Sequence, residues 1–318
     1  EKAFRRDFDM SKPDIHADDY ALTLNTSKDM LACMQAGRLD SISIVPNMSC
    51  FEECMELLYR EIPKLPFLPL LSVHLDFVEG RSLAGKAAAP DLVKPGTDLM
   101  GLGWGGLFAA SYLPHKRKMI RAQLVCEIKA QLAKAQTAIE TCIGIAARHS
   151  IPCGQKGLRI DSHQHAHMIP VVWEAVLEAV RGEGDALEYI RNSREVLGVF
   201  LTDVSLYRTY RPVNFIKNRL LSLYSHKVDR YCKENGMSRM YLWGLVMSGR
   251  MDKGRIERLY GKMRRKAQKD GRTLEILFHP GITLPEEVTP EIAKEAAADF
   301  YLREDRHVEM EAVLGVEW

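Results

Sequence analysis

Three of the chain's ten histidines stand at alternate positions in one short segment, DSHQHAHMIP at residues 161–170. In an extended chain, side chains at i, i+2 and i+4 share a face, so His163, His165 and His167 are expected to point the same way. Further polar groups cluster in three other apolar contexts: Asp18 and Asp19 in HADD, His74 and Asp76 in VHLD, and His279 in FHPG. Singly, each has an ordinary structural role to fill, such as a satisfied core histidine or an aspartate pair in a turn. Spaced imidazoles on one face are nevertheless costly to dehydrate without a partner. Two imidazoles and one carboxylate make a mixed nitrogen and oxygen set that leaves coordination positions open, as catalytic metal sites do. A divalent ion there would lower the pKa of a water from 15.7 toward about 7 and stabilise an oxyanion. A second carboxylate could take the water's proton, and a separate imidazole could protonate a leaving amine. That set of roles describes metal-assisted hydrolysis of an amide or ester.

Such residues need elements to bring them together. Short apolar segments predicted as strands alternate with amphipathic helices: DIHADDY (14–20), then a helix; SISIVPNM (41–48), then a helix with Ser49 as N-cap; LPLLSVHLDF (68–77), nearly all apolar. A Gly-rich, helix-poor stretch is expected over about 79–110, followed by a long helix over 118–150 and the strand GLRIDSHQH. A helix opening at Pro170 comes next, then strand candidates ALEYIR, MYLWGLVMS and LEILFHPG separated by helical segments. Repeated β-then-α order argues for a parallel sheet with helices outside, open or closed into a barrel, and one domain over 1–318. In such folds the ligand site lies at the carboxyl ends of the strands. Asp18, Asp19, His74, His163, His165 and His279 all fall at strand ends.

Composition narrows the partners. Hydrophobic residues make up 46% of the chain and charged residues 27%, with a net charge of +2. That balance suits a core-forming globular protein and gives no general argument for nucleic acid or an anionic membrane. The basic runs HKRK (115–118) and KMRRK (262–266) read as solvated faces. Seven cysteines without a CxxC pair, no apolar run of membrane-spanning length and no signal-peptide-like segment lead to the expectation of a reducing, cytoplasmic setting.

HADDYALTLNTSKDML, SISIVPNM, VHLDFVEGRSL, DSHQHAHMIP and EILFHPG resemble, in order and spacing, the YdjC/ChbG-like carbohydrate deacetylases, and the likeness extends to REDRHVEMEAVL near the end. The resemblance implies an α/β fold, a distorted (β/α) barrel. It also implies a hydrolase of carbon–nitrogen bonds other than peptide bonds, removing acetyl from an N-acetylated sugar such as an N-acetylglucosamine oligosaccharide. Carried over by motif, Asp19, His74 and His163 match the ligands of one divalent ion, Mg2+ or Zn2+; Asp18 matches the general base and His279 the general acid. His165 and His167 match motif positions that either touch substrate or, by default, orient the metal ligands, and Arg191 resembles an arginine at a strand end taken as substrate-binding. Trp104, in the Gly-rich stretch, is a candidate for stacking on a sugar from a flexible flap. A homodimer is the family expectation. Other readings are hydrolysis of a different amide or ester, and a carbohydrate-binding protein without turnover. This chain departs from the family at Tyr20-Ala21, where phenylalanine and glycine are usual; alanine takes positive φ only at a cost, so this turn is expected to be shaped differently. Pro13 and His16 are also unusual in a first strand.

Overall fold

The computed structural model describes residues 12–181, 187–292 and 300–318. Seven strands are present: β1 Asp14–Tyr20, β2 Ser41–Ile44, β3 Leu70–Leu75, β4 Leu158–Ser162, β5 Leu187–Ile190, β6 Met240–Trp243 and β7 Thr273–Phe278. All pair in parallel, in the order β5-β4-β3-β2-β1-β7-β6. This is the order of a barrel cut open between β5 and β6, an α/β half-barrel. One backbone bond spans the cut, from the amide of Leu242 to the carbonyl of Arg194 at 2.9 Å.

Helices follow the strands: α1 Leu24–Gln35, α2 Phe51–Glu61, α3 Gly85–Ala88, α4 Gly103–Ala110, α5 Pro114–Arg148, α6 Pro170–Ala179, α7 Leu197–Phe200, α8 Pro212–Glu234, α9 Lys253–Lys269 and α10 His307–Gly315. Their starts have local causes. Thr23 and Asp252 cap α1 and α9 through their side chains, and prolines open α5, α6 and α8, where a missing N–H costs nothing. Ser49 does not cap α2. That helix begins after Cys50 without a side-chain cap, and the Ser49 amide donates to Glu291 at 2.9 Å.

Alternation along the strands splits the sheet into two unlike faces. Ile15, Ala17, Ile42, Ile44, Leu71, Val73, Ile160 and Ile276 join the apolar core beneath the helices. The intervening residues His16, Ser43, His74, Asp161, Arg191 and Glu275 are equally buried but bond to one another. β3 is buried along nearly its whole length as expected, and Ser72 and His74 are buried with its apolar residues. His16, odd in a strand read as apolar, belongs to the polar interior. Pro13 lies just before β1 and interrupts no ladder.

The Gly-rich stretch is more ordered than expected. It contains α3 and α4, and the Glu127 carboxylate on α5 ties it down by accepting from the Ser82 hydroxyl at 2.7 Å and from the amides of Leu83 and Ala84. The end of the helix expected after Pro170, and Ala186 at the start of ALEYIR, fall among residues 182–186 and lie outside the described residues.

Candidate active site

Strands β1, β3, β4 and β7 deliver their C-terminal ends to one cleft of about 200 Å³, lined among others by Asp18, Asp19, His74, His163, His165 and His279. The backbone is bent hard to achieve this. Asp19 and Ala21 sit at φ 74° and 69°, and Gln164 and His165 at 51° and 59°. Non-glycine residues there cost on the order of 1–2 kcal/mol each, a strain that folded proteins concentrate at functional sites. Ala21 itself adopts positive φ at that cost, where a differently shaped turn was expected.

The three alternate histidines do not share a strand face. The strand ends at Ser162, and residues His163–Met168 wind into a 3-10 turn interrupted by the positive φ at Gln164 and His165. Each imidazole consequently has a different task. His163 Nδ1 lies 3.0 Å from Asp19 Oδ1. His165 faces the cleft, with Nδ1 2.9 Å from Ser193 Oγ. His167 turns inward. Its Nε2 donates to the carbonyl of Arg191 at 2.8 Å and its Nδ1 takes the Ser162 hydroxyl at 2.6 Å. Fully buried, it is pushed by desolvation down to about 4 and has no free atom for a substrate, so it latches β4 to the segment after β5.

Asp19, His74 and His163 each offer a ligand atom, and these atoms lie within 4.8 Å of one another. The His74 Nε2 to Asp19 Oδ1 distance is 3.4 Å. The far nitrogen of each imidazole is held by a carboxylate: His74 Nδ1 by Asp161 at 2.7 Å, His163 Nε2 by Glu79 at 3.3 Å. Carboxylate–histidine pairs of this kind fix ring orientation and tautomer around metals. Tyr301 adds its hydroxyl, donating to Glu79 at 2.9 Å and lying 3.1 Å from His163 Nε2. Electrostatics point the same way. Burial opposes charge on His74, yet Asp18 and Asp161 raise it to about 10; burial likewise opposes charge on His163, and Asp76 and Asp19 drive it well above the usual range. A pocket that holds protons this firmly favours a cation at its centre. Among the described residues other trios could also gather round an ion, namely His16 with Asp18 and Asp161, His16 with half-buried Asp14 and Glu275, and His163 with Asp76 and Glu79. Only Asp19, His74 and His163 all line the cleft, and that donor set fits a divalent metal.

Asp18 is placed beside this trio and clamped. Arg191 donates to both of its oxygens, at 2.7 and 2.8 Å, and to Glu275 at 2.7 Å, with Asp161 3.1 Å away. Burial works against the Asp18 charge, but Arg191, with His74 and His16, outweighs it and holds the carboxyl well below its usual range. Arg191 is itself fully buried and is not among the residues lining the cleft, where a substrate-binding position was expected; it positions Asp18. Behind them the His16 ring nitrogens lie 2.7 and 2.6 Å from the hydroxyls of Ser41 and Ser43, which donate to Asp14 and Asp161.

Across the cleft, His279 follows β7. Its amide donates to Glu309 on α10 at 2.6 Å, its Nδ1 lies 3.6 Å from the same carboxylate, and its ring meets Phe300 edge to face at 5.4 Å. Trp104 is not among the residues lining the cleft. It stacks on Phe108 at 5.5 Å within α4 and packs on the core, which removes the basis for a sugar-stacking flap. Sequence reasoning missed Glu79, Tyr301, Glu309 and the cationic rim of Arg211, Lys217 and Arg303. Glu79, Arg303 and Glu309 carried a signal, since they lie in the stretches of family likeness VHLDFVEGRSL and REDRHVEMEAVL.

No curated protein matches the chain. A crystal structure from Enterococcus faecalis V583, provisionally described as a cellobiose-phosphate cleavage protein, superposes with a TM-score of 0.54 at 16% identity, over 95% of this chain and 89% of that one. This likeness shows the fold. The family model described as YdjC-like protein matches residues 15–318, nearly everything from β1 to the C-terminal residue. The chain belongs to the YdjC-like protein family.

Proposed function

We propose that the protein is a metal-dependent hydrolase that removes the acetyl group from an N-acetylated sugar. The observation that carries this reading is the meeting, in one cleft, of a buried His2Asp set, a clamped aspartate and an imidazole from a separate strand. Asp19, His74 and His163 would hold the ion, and two imidazoles in the set suit zinc while open positions also suit magnesium. When bound, the ion supplies Lewis acidity toward the acetyl carbonyl and lowers the pKa of water.

The remaining work belongs to the chain. Asp18, kept anionic and oriented by Arg191, takes the proton of the attacking water at a carboxylate oxygen. His279, held by Glu309 and Phe300, gives a proton to the departing sugar nitrogen. Gln164, His165, Asn214 and Ser248 present neutral polar atoms to sugar hydroxyls. Arg211 and Lys217 give the rim a positive field, with Arg303 beside them paired to Asp305, while the two lining aspartates are already paired with Arg191 and the imidazoles. That balance supports a sugar bearing an anionic group such as phosphate, the group named in the description of the Enterococcus protein.

Acetate release from N-acetylglucosamine oligosaccharides, with and without a phosphate, tests the proposal. Asp18→Asn is expected to lower kcat by about 10²–10⁴-fold. Turnover that survives the substitution would remove Asp18 from the role of base. Absence of acetate release from every N-acetyl sugar, with sugar binding intact, would favour a binding protein.

A further inference from the structure

The outer side of α8 does something the cleft does not explain. Its inner stripe, Asn218, Leu221, Ser225, Val228 and Cys232, is buried. The opposite stripe, Val213, Ile216, Leu220 and Leu223, is also apolar, with Val213 62%, Ile216 69% and Leu223 58% exposed. A helix with an ordinary solvent face would be polar there. The exposure continues through adjoining segments. Val204 is 76% exposed and Tyr207, which meets Tyr210 and through it Phe215 on α8, is 43% exposed. Tyr112, at the turn between α4 and α5, touches the Tyr224 hydroxyl and is followed by exposed Leu113 and Met119. Nine of the twelve large hydrophobic residues exposed among the described residues lie in these two segments.

Their charged neighbours are almost all cationic. Between 201 and 230 stand six lysines and arginines against two aspartates, and HKRK follows Leu113-Pro114. Asp203 is paired with Arg258, and Asp229 with Arg272 and Arg194. Lys116, Lys118, Arg208, Arg219 and Arg230 are exposed, and none pairs with a carboxylate among the described residues. The net charge of +2 averages this concentration away. A second copy of the chain seated here would set the basic flank of α8 against itself. A surface that is apolar in the middle and cationic around it instead matches lipid headgroups over acyl chains.

We propose that the outer face of α8, with the α4–α5 corner, docks the protein on an anionic lipid surface. Among the described residues no helix is long and apolar enough to cross a membrane, so the attachment is peripheral. The inner side of the same helix carries Asn214 and Lys217 into the cleft, so docking would bring the cleft mouth close to the headgroups. Such docking does not depend on the reaction proposed above.

Co-sedimentation of the full chain with phosphatidylcholine vesicles, with and without phosphatidylglycerol, provides the test. The protein should pellet with phosphatidylglycerol-containing vesicles, remain largely free with phosphatidylcholine alone, and release as salt rises. Arg219→Glu with Arg230→Glu should weaken partitioning by about fivefold or more per position. Val213→Ser, Ile216→Ser and Leu223→Ser together, all at solvent-facing positions, should weaken it by at least about tenfold. No retention on anionic vesicles, or retention unchanged in both variants, would overturn the proposal. So would a dimer in solution that the triple serine variant converts to monomer, because a second copy would then cover this face.

Discussion

Lys217 shows how placement, more than residue type, sets chemistry. It is partly buried in the cleft wall, and desolvation lowers its ammonium to about 8, so it is charged at neutral pH and loses its proton just above. For a sugar carrying a phosphate, KM should rise as pH passes about 8, with little change for the unphosphorylated sugar, and Lys217→Met should abolish the difference. A steady-state pH series on the two substrates measures this; identical profiles would remove Lys217 from anion binding. Nothing in FIKNR distinguishes this lysine from its solvated neighbours, because its environment is made by the turns after β4 and β6. Asp18, Asp19, His74, His163 and His279 were legible because apolar packing alone seldom places polar groups at the ends of buried strands. Arg191 and His167 were legible as members of the site but not in their tasks, which depend on burial that sequence spacing does not reveal.

At the scale of elements, most strands and helices follow from period and punctuation, and the exceptions have local causes. The DSHQH strand stops at Ser162 because Gln164 and His165 adopt positive φ, a conformation that neither residue type announces. The turn after β6 is fixed from two sides. Gly244, at φ 145°, lies where a Cβ would come 2.5 Å from the Leu277 carbonyl oxygen. Glu195 accepts from the amides of Gly244, Leu245 and Val246 at 2.7, 3.1 and 2.9 Å and from Asn218 at 2.8 Å, holding together the segment after β5, the turn after β6, and α8. Burial raises this carboxyl from 4.5 to about 7 despite those donors. Between these pH values the native state keeps a proton that the unfolded chain has lost, so stability falls as pH rises through the window and levels above it. The fall amounts to on the order of 3 kcal/mol at about 1.4 kcal/mol per pKa unit. Glu195→Gln should be less stable, since an amide offers one acceptor oxygen in place of two, but should lack this component of the slope. Denaturant unfolding at the two ends of the window should therefore show the wild-type advantage shrinking with pH; a constant difference would contradict the raised pKa.

For the whole molecule, the β-then-α order identified a parallel sheet with helices outside, and the family likeness its barrel form. The opening between β5 and β6 was not legible, because it depends on a pairing that does not form. Nor was the polar interior, where Asp18, Asp161 and Glu275 surround Arg191 and His16, since a strand buried on both faces is expected to be apolar on both. Burying so much charge is unfavourable unless each group finds its partner, and here the partners converge on the end of the barrel where the cleft opens. The proposed hydrolysis would need a cation to complete that convergence. Crystals of the full chain soaked in zinc, with anomalous scattering collected at the zinc edge, test it most directly. The prediction is one strong peak within bonding distance of Asp19, His74 and His163, with Asp161 and Glu79 still holding the far nitrogens of the two imidazoles. A peak among other residues, or no peak while those three side chains remain ordered, would contradict it.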